Sequence, residues 1–477
     1  MENNPNKISS VLFFSIWVLI ISICAFFIVY NASWLVGDDA IVMRHTGFGH
    51  PFMPKDFVIK EAGRFYPFSY LMYNILLIFG KGWISPEAHY TLHSICFIFC
   101  IFNYSILAFN ITENRQPWFR YAITLLVAIT AVGRFLPNFL ECYSTVWFGY
   151  YLSSLFILLA FTFFQKQVLT FGILALLVAT FSTYRSESSF IMPLAFGSAN
   201  LLFNFKRLSK AKAIISALLI VDAIIYLTIY ATSILPYTVG RYDGSHGSNI
   251  SFISNAINII VAQKIILISI PFALYKLFLL AKGKSAYGFF DSIYLTALAM
   301  CCGGFILKLN WVLYYNTAAI FTLFFILSVC MSTKMRQTNV IIIFAAISLL
   351  YGSKITPTII NNQKSRIQVP IEIAQLSQKI ECHQTFWLAP DDNNHTESMV
   401  KKDWIETQIA WATNNERFKI KSISDIDEIA NVNMPILFFY SANDSTLIQN
   451  ISRDHYEQEP VFQEGGIVVT IGHPINQ

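Results

Sequence analysis

Long apolar runs dominate the sequence, and short polar stretches separate them. Most runs have roughly 17–25 residues, the helix length that crosses a hydrocarbon core of about 30 Å. The pattern therefore predicts about eleven membrane-spanning helices. They cover residues 10–30, 88–110, 118–133, 147–164, 168–183, 189–204, 212–234, 256–279, 288–307, 311–331 and 338–352.

Composition agrees with this pattern. Of the 477 residues 55% are hydrophobic and 13% are charged, whereas soluble domains carry about 25% charged residues. The eight cysteines lie mostly inside apolar runs, where they act as small hydrophobic residues. The sequence has no nucleic-acid-binding motif, so we expect membrane lipids and no nucleic acid as partners. The fold class predicted is a polytopic α-helical membrane protein.

Basic residues alternate between the two sides of these helices. With the N-terminus in the cytoplasm, cytoplasmic loops and their edges hold most of the Lys and Arg, as the positive-inside rule requires. An odd number of spans then places the C-terminus outside. The cytoplasmic set comprises Arg115, Arg120, Lys166, Lys206, Arg207, Lys210, Lys212, Lys276, Lys282, Lys284, Lys334 and Arg336.

The composition changes near residue 356, where polar residues become common and apolar runs shorten. "TFWLAP", "MPILFFYSA" and "GIVVTIG" are typical of strands, residues 398–413 have helical spacing, and Gly465-Gly466 predicts a hairpin turn. We therefore predict two domains: a transmembrane domain at 1–355, which includes a first outside loop at 31–87, and a small extracytoplasmic α/β domain at 356–477.

The first outside loop opens with an acidic pair, Asp38 and Asp39, beside the first span. The pair can simply cap a following helix, because Asp is a favoured N-cap. Against that interpretation, the loop is long, and long loops usually have a task. Its segment "FYPFSYLMYNILLIFG" is interrupted by Pro67 and predicts a helix that lies in the membrane interface.

Other outside segments carry cations close to the hydrocarbon. Such side chains often snorkel at the ends of spans beside a neutralising carboxylate. Several together on the side opposite to the positive-inside preference favour a binding role, because guanidinium groups fit phosphate oxygens. These cations are Arg134, Arg185, Arg241 and Lys308, and Glu141, Glu187 and Asp243 lie near the three arginines in sequence.

An acidic base beside phosphate-binding cations suggests a reaction class. The carboxylate would deprotonate an acceptor hydroxyl, and the cations would stabilise a departing phosphate. Nucleotide sugars are cytoplasmic, so a lipid-linked phosphate would be the donor on the outer face.

The segment "GDDAIVMRHTGFGHPF", from Gly37, resembles the first-loop motif of GT-C glycosyltransferases. The form "DDA…R…G.G" occurs in polyprenyl-phosphate-sugar-dependent arabinosyl- and mannosyltransferase-like members. The resemblance implies a GT-C-like architecture, with the base at Asp38 or Asp39, of which we prefer Asp38. Arg44 matches the motif's arginine. Arg64, which follows outside the general pattern, is a further candidate for the donor phosphate.

Metal dependence is left open by the resemblance, since some members bind a divalent cation such as Mg or Mn through these acids and many need none. His45, His50 and His246 lack a compact ligand spacing, so we assign them structural or supporting roles and no metal site. Glu141, Glu187 and Asp243 would likewise support the site from a second layer.

The resulting hypothesis is a glycosyltransferase, hexosyl or pentosyl, in the bacterial inner membrane. Its partners would be a polyprenyl-phosphate-linked sugar and a glycan, lipid or protein acceptor, as in cell-envelope polysaccharide biosynthesis. The alternatives are a lipid-linked oligosaccharide polymerase or ligase, or a flippase. A flippase should show charges near mid-span and often a repeat, whereas most span centres are uncharged here, with Asp222 and Lys264 as exceptions.

Overall fold

The structure is a computed structural model, and its description covers most of the chain up to residue 238 and parts of the remainder. The described residues of the first part are 5–30, 45, 48–61, 63–79, 86–112, 116–126, 144–186 and 189–238. Those of the second part are 274, 275, 278, 282, 291, 292, 295, 296, 299, 337–339, 342, 345, 346, 349, 385–387, 406, 407, 409, 410, 421, 422, 435–441, 456–464 and 467–475.

Helices form at the apolar runs of the first part. They are α1 (Pro5–Tyr30), α2 (Ser69–Phe79), α3 (Pro86–Ile111), α4 (Ser144–Lys166), α5 (Leu169–Arg185), α6 (Ile191–Asn204) and α7 (Lys210–Ser233). Residues 117–126 are also helical. Among the described residues, Thr91–Asn110 and Lys210–Tyr237 are long and apolar enough to cross a membrane by length and composition. Helix α2 has 11 residues and a length of about 16 Å, so it is too short to span.

The helices of the first part pack against one another. Helix α1 contacts α3, α3 contacts α4, α4 contacts α5, and both α5 and α6 contact α7. A tight turn joins α4 to α5, where Gln167 has a φ of 56° and donates its backbone N–H to the Phe163 carbonyl at 2.9 Å. The left-handed conformation of one residue reverses the chain within this turn.

Polar side chains bridge the helices inside the bundle. Asn103 of α3 donates to Ser154 Oγ of α4 at 3.0 Å. Ser292, in a later helical stretch, donates to Asn200 Oδ1 of α6 at 2.8 Å. In an apolar environment such groups must find partners within the protein, so these bonds fix which helix faces meet.

One end of the bundle is held by basic side chains on helix carbonyls. Arg120 Nη2 donates to the Phe109 carbonyl at the end of α3, at 3.0 Å. Lys212 Nζ donates to the Phe164 carbonyl at the end of α4, at 2.7 Å. Carbonyls at a helix C-terminus carry partial negative charge, so these cations complete the helix ends. We call this end of the bundle the basic end.

The opposite end, which we call the loop end, is covered by residues 50–79. A 3-10 turn at Pro54–Phe57 leads into β1 (Val58–Ile59) and β2 (Arg64–Phe65), which pair antiparallel. Phe52, Phe57 and Tyr73 form a small buried core. The segment attaches to the bundle through the Phe68 N–H, which donates to the Tyr184 carbonyl at 3.0 Å.

The C-terminal region contains the strands β3 (Thr385–Trp387), β4 (Lys421–Ser422), β5 (Ile436–Ser441), β6 (Tyr456–Glu464) and β7 (Ile467–Pro474). They form a five-stranded sheet in the order β4-β3-β5-β7-β6. Strand β3 pairs parallel with β4 and β5, and β7 pairs antiparallel with β5 and β6. The hairpin predicted at the two glycines is confirmed, because Glu464 pairs with Ile467; the glycines themselves lie outside the described residues.

Candidate active site

Three of the predicted site residues fall in the part of the chain that the structure describes: His45, Arg64 and Arg185. Arg185 lies at the loop end of the bundle, Arg64 lies in the segment that covers it, and His45 packs on that segment. The remaining predicted site residues lie outside the described residues. They are Asp38, Asp39, Arg44, Arg134, Glu141, Glu187, Arg241, Asp243, His246 and Lys308.

Arg185 is the last residue of α5 and is only 4% exposed. The sequence placed it in an outside loop, but the helix continues two residues beyond its predicted end at 183 and carries the arginine with it. Snorkelling would leave the guanidinium in water, so this burial argues against the simplest interpretation of Arg185. An ionisable group inside such a bundle is a candidate functional residue.

The Arg185 guanidinium lies against α4. Its Cζ is 5.6 Å from the centre of the Phe148 ring. The next residue is Gly149, and a Cβ built there would lie 2.7 Å from Arg185 Nη1. The missing side chain at position 149 therefore makes the space that the guanidinium occupies.

Arg64 lies in β2, half-buried, opposite Ile59. Its guanidinium is 5.8 Å from the centre of the Tyr66 ring. The carbonyls on both sides of Arg64 accept hydrogen bonds from α7: the Tyr226 hydroxyl donates to the Phe65 carbonyl at 3.0 Å, and the Tyr230 hydroxyl donates to the Gly63 carbonyl at 3.1 Å.

Residues 63–69 connect the two arginines. Ser69 Oγ, which is buried, donates to the Arg185 carbonyl at 2.7 Å, one residue after the bond between Phe68 and Tyr184. The same short segment is thus fixed to α7 near Arg64 and to α5 at Arg185. Residues 63–69 therefore hold both arginines at the loop end of the bundle.

His45 has a packing role in this structure. Its ring stacks on Phe52 with centres 4.3 Å apart, and its carbonyl accepts the His50 N–H at 2.9 Å. Within the described residues, no group of three or more His, Cys, Asp or Glu side chains is arranged to hold a metal ion. The stacking on Phe52 places the His45 ring against the small buried core of Phe52, Phe57 and Tyr73.

Several residues that build this site carry no signal in the sequence. Ser69, Phe148 and Gly149 look like ordinary members of apolar helices. Tyr226 and Tyr230 share one face of α7 because they are four residues apart, but their partners lie more than 160 residues away in the chain. Only the fold shows that they meet the segment around Arg64.

Comparison with known proteins gives information about the fold. No protein-family model and no curated protein sequence matches the chain. Solved structures match the fold of this chain over nearly its whole length.

Two of the matching structures are crystal structures of ArnT from Cupriavidus metallidurans. The apo crystal structure has a TM-score of 0.51 and 9% sequence identity, and the match covers 97% of this chain and 98% of that chain. The crystal structure bound to undecaprenyl phosphate has a TM-score of 0.50 and 10% identity, over 97% and 98% of the two chains. At these identities the similarity concerns the fold.

Proposed function

We propose that this chain is an integral-membrane glycosyltransferase that moves a sugar from a polyprenyl-phosphate donor to a cell-envelope acceptor. The observation that carries the proposal is the end-to-end likeness in fold to ArnT, one of whose structures holds undecaprenyl phosphate. That ligand has the chemistry of the leaving group in such a transfer: a lipid tail and a single phosphate.

The site residues support a phosphate-binding role at the loop end. Arg185 is buried and Arg64 is half-buried. Arg64 lies within residues 63–69, which α7 holds through the Phe65 carbonyl, and Ser69 of the same segment donates to the Arg185 carbonyl. A guanidinium group offers paired N–H donors to phosphate oxygens, and its attraction strengthens where water is excluded. We assign donor-phosphate binding to Arg44, Arg64, Arg134, Arg185, Arg241 and Lys308.

The basic residues at one end of the bundle support an orientation in the membrane. The basic end, with Arg120 and Lys212 on helix carbonyls, would face the cytoplasm, as positive-inside statistics favour. The loop end would then face the extracytoplasmic side, together with the domain at 356–477. A lipid-linked donor is the form of activated sugar that is available there.

The transfer would use Asp38 or Asp39 as general base. The carboxylate accepts the proton of an acceptor hydroxyl while that oxygen forms a bond to the anomeric carbon of the sugar. The bond between the anomeric carbon and the phosphate oxygen breaks, and polyprenyl phosphate leaves with the bonding electrons. The cations neutralise the charge that develops on the phosphate, and His45, Glu141, Glu187, Asp243 and His246 would support them.

Release of polyprenyl phosphate from a purified preparation tests the proposal. Wild-type protein in lipid nanodiscs is incubated with undecaprenyl-phosphate-linked pentose or hexose and a cell-envelope extract as acceptor, with and without EDTA. Asp38→Asn and Asp39→Asn are compared with Glu61→Gln, an exposed acid in the covering segment. We expect at least one Asp variant to lose roughly 100-fold or more of the rate, the scale of general-base catalysis.

Two outcomes would contradict the proposal. If neither Asp variant slows transfer while the protein stays folded, the base is misassigned. If the protein moves an intact lipid-linked glycan across a bilayer without releasing polyprenyl phosphate, the flippase alternative is correct.

A further inference from the structure

Two tyrosine hydroxyls of α7 hold the backbone on either side of Arg64. The Tyr226 hydroxyl bonds the Phe65 carbonyl at 3.0 Å, and the Tyr230 hydroxyl bonds the Gly63 carbonyl at 3.1 Å. The tyrosines are one helical turn apart, so both point from the same face of α7. The peptide groups before and after Arg64 are therefore fixed by one rigid element.

The tyrosine rings are themselves held in place. Tyr226 is 1% exposed and lies in a buried cluster with Phe190 and Ile191. It stacks on Phe190 with centres 5.6 Å apart and contacts Tyr184 edge to face at 5.5 Å. Tyr230 stacks beside it at 6.4 Å. With the rings packed, helix α7 determines where the two hydroxyls stand.

The segment that carries Arg64 needs such an anchor. Its two strands have only two residues each, in the register Val58 to Phe65 and Ile59 to Arg64. An isolated two-stranded hairpin is marginally stable at best in water. Gly63, at the turn, has a φ of 65°, a conformation that suits glycine because it has no Cβ. Contacts from outside the hairpin therefore decide how steadily Arg64 is presented.

We propose that Tyr226 and Tyr230 are positioning residues for Arg64, and that their hydroxyls preorganise its guanidinium for the phosphate of a lipid-linked ligand. This inference rests on the proposed function, because it takes Arg64 to bind that phosphate. Preorganisation lowers the conformational entropy lost on binding and thereby raises affinity. Neither tyrosine needs to touch the ligand.

Binding of undecaprenyl phosphate, measured without any transfer reaction, tests the inference. Full-length protein in nanodiscs is titrated with this lipid, and affinities are compared for wild type, Tyr226→Phe, Tyr230→Phe and Arg64→Ala. The Phe variants remove one oxygen and keep the ring. Each should weaken binding roughly three- to tenfold, the scale of one hydrogen bond. Tyr237→Phe is the control, since its ring is 56% exposed and lies near Lys60, and it should bind as wild type does.

The decisive comparison is made in the Arg64→Ala background. If the tyrosines act through Arg64, adding Tyr226→Phe or Tyr230→Phe to Arg64→Ala should cost no further affinity, because coupled residues are not additive. An equal loss in both backgrounds would show a general structural effect and overturn the inference, and so would Phe variants that bind as wild type does.

The same titration separates this inference from the proposed function. Coupled loss of lipid binding in a protein that transfers no sugar would overturn the glycosyltransferase and leave the positioning role standing. If the wild type transfers sugar but Arg64→Ala binds the lipid with unchanged affinity, the positioning role is overturned and the glycosyltransferase stands.

Discussion

The Arg185 guanidinium occupies the place that a side chain on Gly149 would take. Nη1 of Arg185 lies 2.7 Å from an ideal Cβ at position 149, and Cζ lies 3.4 Å from it. Real Cβ atoms do not come so close to another heavy atom, and the arginine is buried, so it has little room to withdraw. The observed position of the Arg185 guanidinium therefore requires a residue without a side chain at position 149 of α4.

Gly149→Ala should therefore displace Arg185. We expect the variant to lose affinity for undecaprenyl phosphate and about 1 kcal/mol of stability through the coupling between the two sites. In the Arg185→Ala background the clash is gone, and Ala in place of Gly within a helix should stabilise by roughly 0.5–1 kcal/mol. Thermal unfolding of the four proteins measures this sign change. If Gly149→Ala shifts the melting temperature equally with Arg185 present and with Arg185→Ala, Arg185 and Gly149 do not share this space.

Much of the helical fold could be predicted from the sequence because apolar run length measures a membrane crossing directly. The run predicted at 147–164 is the core of Ser144–Lys166, and the run at 212–234 corresponds to Lys210–Ser233. The ends differ by up to three residues, since the terminal residues of a helix need not be apolar. The same effect hid the helical position of Arg185.

Strand β6 is one of the strands that hydropathy did not predict. Its sequence, "YEQEPVFQE", contains three Glu and a Pro. The strand lies at the edge of its sheet, with an irregularity between Pro460 and Phe462. Edge strands favour charges and tolerate proline because one side is unpaired. The pattern of a half-buried strand is therefore weak there.

Candidate cations could be found from sequence because charge beside hydrocarbon is rare. Their supports could not: Ser69 meets the Arg185 carbonyl across 116 positions of the chain. Such contacts are set by helix packing and leave no local pattern. The sequence therefore provides candidate cations, but it does not predict the contacts that hold them in the fold.

Gln167→Gly should stabilise the turn between α4 and α5. Gln167 has a φ of 56°, and an L-residue with a side chain pays roughly 1–2 kcal/mol for the left-handed conformation. Glycine removes this strain but has a more flexible unfolded state, so we expect a net gain of about 0.5 kcal/mol. Thermal unfolding in detergent measures it.

Val168→Gly is the matched control for that prediction. Val168 has a φ of −84° and is 45% exposed, so glycine relieves no strain there and should lower stability. A fall in melting temperature for both variants would show that the conformation of Gln167 costs nothing.

Gly197→Ala should separate α6 from α7. A Cβ at position 197 would lie 2.5 Å from the Ser216 carbonyl oxygen and 2.8 Å from Ile220 Cγ1. A backbone oxygen cannot move aside alone, so the helices must shift, at a cost of roughly 1–3 kcal/mol for overpacking. Leu202→Ala, at a 76% exposed position of α6, should change stability little. Equal melting temperatures for Gly197→Ala and wild type would exclude the close contact.

Gly472→Ala should loosen the C-terminal sheet and leave the helical bundle unchanged. A Cβ on Gly472 of β7 would collide with Cε2 of Phe438 on β5 and lie 3.2 Å from Tyr456 Cδ1. Phe438 is fully buried and Tyr456 is 2% exposed, so neither ring has space to turn, and we expect a loss of roughly 1–3 kcal/mol. Hydrogen exchange measured by mass spectrometry should show faster exchange in β5 and β7 and unchanged exchange in α3–α7.

Shortening the neighbour with Phe438→Leu should recover part of the protection in Gly472→Ala, because it frees the volume that the new methyl group needs. Val461→Ala, at a 37% exposed position of the edge strand, should have little effect. If Phe438→Leu instead adds its own loss to that of Gly472→Ala, the two positions do not share this space.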